Sequence, residues 1–111
     1  MLEINFDNKM INNFDAELSE VNFSYSKGDY VEAFSKGVML QEKMPENVIL
    51  HNLVGASELA LGDPKAAANS YARAIEVDPK FLGSYINLGS LYDNENRIKF
   101  YAFYWFFKVV R

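Results

Sequence analysis

Residues 48–79 read VILHNLVGASELALGDPKAAANSYARAIEVDP, and the punctuation of this stretch recurs elsewhere in the chain at one fixed interval. Gly28-Asp29 returns as Gly62-Asp63, Ala33 as Ala67, Pro45 as Pro79 and Gly55 as Gly89, each 34 residues later. A constant period of this length marks stacked supersecondary units, because one such unit cannot bury its apolar face alone.

Working outward from 48–79, the breakers divide the chain into helices and turns. Upstream, Met10, Ile11, Phe14, Leu18, Val21 and Tyr25 step by three and four, which is helical spacing. Asp7 or Asn8 is the expected cap, and Gly28 the expected αL stop. Asp29 then caps a second helix over about 30–43, with Val31, Phe34, Val38 and Met39 inward and a Glu32–Lys36 pair outward. Gly37 inside that helix costs roughly 1 kcal/mol against Ala, so a close helix contact is expected there. Pro45 opens a third helix over about 46–61, which Gly62 stops. Asp63-Pro64 reads as N-cap and N1 of a fourth, carrying Ala67, Tyr71, Ala74, Ile75 and Val77. A fifth helix is expected over about 81–92, and a sixth segment, 97–111, ends the chain. Before residue 97 no stretch alternates as a strand would. The expected fold is all-α, an array of antiparallel helix pairs in one domain spanning 1–111.

The residues at 48–79 resemble the tetratricopeptide repeat. The pattern of a small residue, a Gly-Asp turn, an Ala, an aromatic, a second Ala and a closing Asp-Pro is filled in order by Gly55, Gly62-Asp63, Ala67, Tyr71, Ala74 and Asp78-Pro79. The flanking units are looser. Residues 14–45 have Val21 where a small residue is expected and Leu40 in place of the later Ala. Residues 82–111 keep Tyr85, Asn87-Leu88-Gly89 and Tyr92, then depart with Asn96, Tyr101 and Trp105. The resemblance implies a short right-handed superhelix of about three helix pairs. It also implies a concave groove lined by the first helix of each pair: Leu18, Asn22 and Tyr25; Ile49, Asn52, Ala56 and Leu59; and Ile86, Ser90 and Asp93. One subclass clamps a C-terminal carboxylate with Lys, Arg and Asn. Here Asn22 and Asn52 are present without the cations, so the expected ligand is an extended peptide or protein segment held by backbone hydrogen bonds. A groove that holds no ligand is the competing reading.

Composition narrows the function classes. Half of the 111 residues are apolar, enough for a core, and the formal charge of −4 gives no electrostatic reason to expect nucleic acid. There is no cysteine, which leaves out disulfides and thiolate metal sites. The first residues lack a basic start and an apolar run, so no secretory signal is expected and a cytoplasmic location is the default. No cofactor motif or nucleophile elbow occurs. The lone His51 sits where the family places a large packing residue and is expected to be structural. Glu17 and Glu20, three apart, read as a solvated helix face rather than an acid/base pair. No catalysis is expected.

One segment breaks ordinary repeat composition. Between Phe100 and Phe107 only Ala102 is not aromatic, so seven of the chain's 17 aromatics fall within eight positions. One helix face cannot bury them all, and uncovered rings forfeit several kcal/mol at about 25 cal/mol per Å². The expectation is a homodimer through this segment, anchored by Tyr101, Tyr104, Trp105 and Phe107. A heterologous partner is an alternative, and a membrane surface a weaker one, since Lys99, Lys108 and Arg111 do not form a basic face. A β-paired edge, or a fragment of a longer protein, is a further reading. For the whole chain, the alternatives to a peptide-binding module are the N-terminal module of an enzyme such as a transferase, and a structural oligomer with no external ligand.

Overall fold

The computed structural model describes residues 15–91. Among them are five helices and no strand: α1 over 15–26, α2 Tyr30–Gln41, α3 Val48–Ala60, α4 Pro64–Val77 and α5 Leu82–Ser90. The expected caps at 7 and 8, the start of the first helix and the segment 97–111 lie outside the described residues.

Two of the joints are copies of one another, as the period requires. Gly28 and Gly62 have φ of +88° and +89°, conformations that a side chain would strain. After α1, Gly28 N donates to Tyr25 O at 3.1 Å and Asp29 N to Ser24 O at 2.9 Å. After α3, Gly62 N donates to Leu59 O at 3.0 Å and Asp63 N to Glu58 O at 2.9 Å. Both are Schellman stops, which pair carbonyls left open at the helix end. Starts are less uniform. Asp63 caps α4 by accepting from Ala66 N at 3.1 Å, with Pro64 in the first turn. Asp29 precedes α2 without a side-chain cap and instead meets Lys27 Nζ at 3.3 Å. Pro45 does not open α3. Asn47 does, accepting from Leu50 N at 2.9 Å, while Pro45 sits in the preceding turn.

α3 packs most extensively on α4 and also touches α2 and α5. Side-chain pairings fix the directions. Gly55 faces Tyr71 while Glu58 meets Ser70, so α3 and α4 are antiparallel. Gly37 lies near Val21 while Lys43 reaches Glu17 at 3.4 Å, so α1 and α2 are antiparallel too.

The close approaches use small residues. A Cβ on Gly55 would lie 2.6 Å from Tyr71 Cε1, and one on Gly37 would lie 2.8 Å from Val54 Cγ2. The two glycines are on opposite members of their pairs. Val21 and Gly37 stand 34 residues before Gly55 and Tyr71, so large and small partners are exchanged between the two units. The space left by Gly37 is taken chiefly by Val54 of α3, while Val21 lies in ordinary contact, 3.7 Å from where a Cβ would stand. The two buried clusters span the junctions between units: Val21, Leu40, Leu50 and Val54 join α1 and α2 to α3, and Ala67, Tyr71, Ile75, Tyr85 and Leu88 join α4 to α5.

The inward face expected for α2 is corrected. Val31 and Met39 are 67% and 71% exposed, Val38 is also exposed and Phe34 is half-buried. The buried stripe is Ala33, Gly37 and Leu40. Close approach by α1 and α3 selects the small residues for the contact, against the hydrophobicity ranking. Ala67, fully buried at the equivalent approach of α4, offers a check. Ala67→Leu should overpack it and cost about 1–3 kcal/mol in denaturant unfolding. A variant as stable as the parent would show that the helices can separate there without penalty.

Candidate functional site

The positions proposed as groove lining fall into two groups. Asn22, Ile49, Leu59, Ile86 and Ser90 are exposed, with Ile86 the most open of the large side chains at 68%. Leu18 is half-buried against the first cluster, Ala56 is half-buried, and Tyr25 is tied to Tyr30 with ring centroids 5.4 Å apart. Asp93 and the aromatic anchors Tyr101, Tyr104, Trp105 and Phe107 lie outside the described residues.

Asn52 differs from its expected role. It is 8% exposed. Its amide nitrogen donates to Val48 O at 2.9 Å and to Ser84 Oγ at 2.8 Å, and its carbonyl oxygen accepts from Asn87 Nδ2 at 3.0 Å. Both donors are spent inside the protein, so Asn52 joins α3 to α5 and has no donor left for a ligand backbone. What remains open is more apolar than expected. Leu82, 64% exposed, lies one turn before Ile86 and two before Ser90, giving α5 an open stripe. The i, i+4 spacing of Leu82 and Ile86 is readable in the sequence, whereas the repeat resemblance points only to the later positions Ile86, Ser90 and Asp93.

A second feature is a cleft of about 360 Å³ lined by Gln41, Pro45, His51, Glu58, Ser70 and Arg73, among others. His51 is buried, and its ring is held at both nitrogens. Nε2 donates to the Pro45 carbonyl at 2.7 Å, which leaves Nδ1 to accept from the Gln41 amide at 3.1 Å. Ser70 Oγ donates to the Glu58 carboxylate. Burial pushes the Glu58 carboxyl above its usual range, with the nearby Asp63 charge adding to the rise and the Ser70 hydrogen bond opposing it. The three polar groups are not a catalytic relay. Ser70 points to Glu58, and His51 has no nitrogen free for a nucleophile. The expectation of a hydrogen-bonded structural histidine is met here by a strut between the α2–α3 turn and α3. Glu17, the other acidic candidate, binds Lys43 at the surface.

Among the described residues no group of three or more His, Asp or Glu could hold a metal ion, and no helix is long and apolar enough to cross a membrane. Compared with protein-family models, with curated proteins and with solved structures, the sequence finds no match.

Tyr71, at the centre of the second unit, supplies a pH test of the packing. Burial raises its phenol from 10.0 to about 12, with smaller contributions from Tyr25 and Glu58. In the unfolded chain the proton leaves first, so stability is expected to fall as pH rises from 10 to about 12, and to level off above that. At about 1.4 kcal/mol per pH unit, the full loss is at most on the order of 3 kcal/mol. Denaturant midpoints across this range, compared with Tyr71→Phe, measure it. A variant with the parent's alkaline slope would remove Tyr71 as the cause.

Proposed function

We propose that the chain is a tetratricopeptide-type interaction module: a short right-handed array of about three helix pairs that binds a protein or peptide segment on the open faces of its first helices. It also self-associates through its C-terminal aromatic segment and carries out no reaction of its own. The observation that carries this reading is the exposed apolar side of α3 and α5, made of Ile49, Leu59, Leu82 and Ile86, next to a tightly filled interior at Gly55, Ala67 and Tyr71. The repeat geometry is supported by the two copied Schellman joints and by the antiparallel α1/α2 and α3/α4 pairs.

The burial of Asn52 changes the ligand chemistry of this proposal. An extended segment offering aliphatic or aromatic side chains suits the open stripe better than one recognised through its backbone. Peptides selected from a displayed random library against the full chain should therefore be apolar at alternate or every third position. Ile86→Glu should weaken their binding by roughly tenfold or more while leaving the unfolding midpoint within about 0.5 kcal/mol of the parent. With no Lys or Arg among the lining positions, that binding should respond weakly to salt. Selected peptides that bind Ile86→Glu as tightly as the parent would move the site elsewhere.

A further inference from the structure

Charge is divided along this chain. Residues 15–46, which form α1, α2 and the turn after them, hold seven carboxylates against three lysines, a net charge of −4. Residues 97–111 hold Arg97, Lys99, Lys108 and Arg111 with no acid, a net charge of +4, and contain the seven clustered rings. The acidic half also exposes large apolar side chains on α1 and α2, with Phe23 at 64%, Val31 at 67% and Met39 at 71%.

Between α1 and α2 lies a cleft of about 300 Å³. Val21, Met39 and Leu40 supply its apolar wall, and its charged lining is three carboxylates, Glu17, Glu20 and Glu42, against two lysines, Lys36 and Lys43. Glu17 is paired with Lys43, and Lys36 with Glu32. Glu20 and Glu42 make no ion pair among the described residues. An apolar cleft with two carboxylates that make no ion pair among the described residues complements an aromatic segment flanked by cations. Met39 adds a specific attraction, because a thioether is favourable about 5 Å from an aromatic ring edge.

We propose that this α1–α2 cleft receives the C-terminal aromatic segment, residues 97–111, of a second copy of the chain. The inference rests on the self-association proposed above and says where the rings land. Each copy has one cleft and one such segment, so reciprocal exchange about a twofold axis makes two equal contacts and closes the assembly as a dimer. Burying several rings on each side reaches the roughly 1,200 Å² or more expected of a specific interface. Because the contact joins opposite charges at the surface, it should weaken as salt is raised.

Trp105 is the only tryptophan and lies inside the segment, so its emission reports burial of the rings directly. The full chain is followed by tryptophan emission and by light scattering over nanomolar to micromolar concentration. The expected result is a blue-shifted dimer that turns into a red-shifted monomer on dilution. Met39→Lys and Glu20→Lys replace exposed side chains and should keep the parent's helical circular dichroism and unfolding midpoint. Each should weaken dimerisation by roughly tenfold or more. Dimers of parental strength in both variants would overturn the assignment of the cleft while leaving self-association standing. A protein that stays monomeric at every concentration would overturn both.

Discussion

Tyr71→Ala is expected to remove about 3–5 kcal/mol of stability, the largest loss from any single truncation in the described residues. Tyr71 is 3% exposed and belongs to the cluster with Ala67, Ile75, Tyr85 and Leu88. Its ring fills the space that Gly55 leaves on the facing helix, where even one added carbon would come within 2.6 Å of it. The site cannot collapse readily, since Ala67 and Ala74 are already fully buried there and offer no larger side chain to move in. A domain with few units has little stability to spare, so the variant should be partly unfolded at room temperature. Thermal and denaturant unfolding by circular dichroism measure the change. A loss below about 1 kcal/mol would mean that Tyr71 is a surface feature of a looser pair.

Asn52→Ala is expected to cost about 1–3 kcal/mol, because it strips partners from polar groups that stay buried. Ser84 is fully buried and loses its bond from Asn52, and the Asn87 amide loses its acceptor. Read from the sequence as an exposed groove residue, Asn52 would contribute less than about 0.5 kcal/mol. Asn22→Ala, at an exposed position, is the internal control and should stay within that limit. If the two variants unfold alike, the α3–α5 network adds nothing and Asn52 returns to the set of residues available to a ligand.

Much of the helical layout was legible because it is written in local chemistry. Gly28 and Gly62 stop helices through their own backbone freedom, and Asp63-Pro64 starts one through its own cap, so no distant residue is needed to read them. Gly37 and Gly55 were likewise recognisable as close contacts, since glycine inside a helix is costly unless something approaches it. The open face was only partly legible. Ile49, Leu59 and Ile86 are exposed, whereas Asn52 is buried by partners, Ser84 and Asn87, that lie more than 30 residues away in the sequence.

The sequence by itself determined that Gly28 and Gly62 stop helices, that the chain's punctuation has a 34-residue period, and that Gly55 is a point of close approach. These follow from dihedral preference, capping and the 34-residue period, all of which act over short spans or recur by copying. Tertiary structure alone decided which face of α2 turns inward. The hydrophobic pattern favours Val31, Val38 and Met39, yet the helix buries Ala33, Gly37 and Leu40, because α3 comes so close at Gly37 that a Cβ there would lie 2.8 Å from Val54 Cγ2. It also decided that the space at Gly37 goes to Val54 of α3, with Val21 of α1 in ordinary contact beside it. Packing is settled by the sum of two surfaces, and one stretch of sequence contains only one of them.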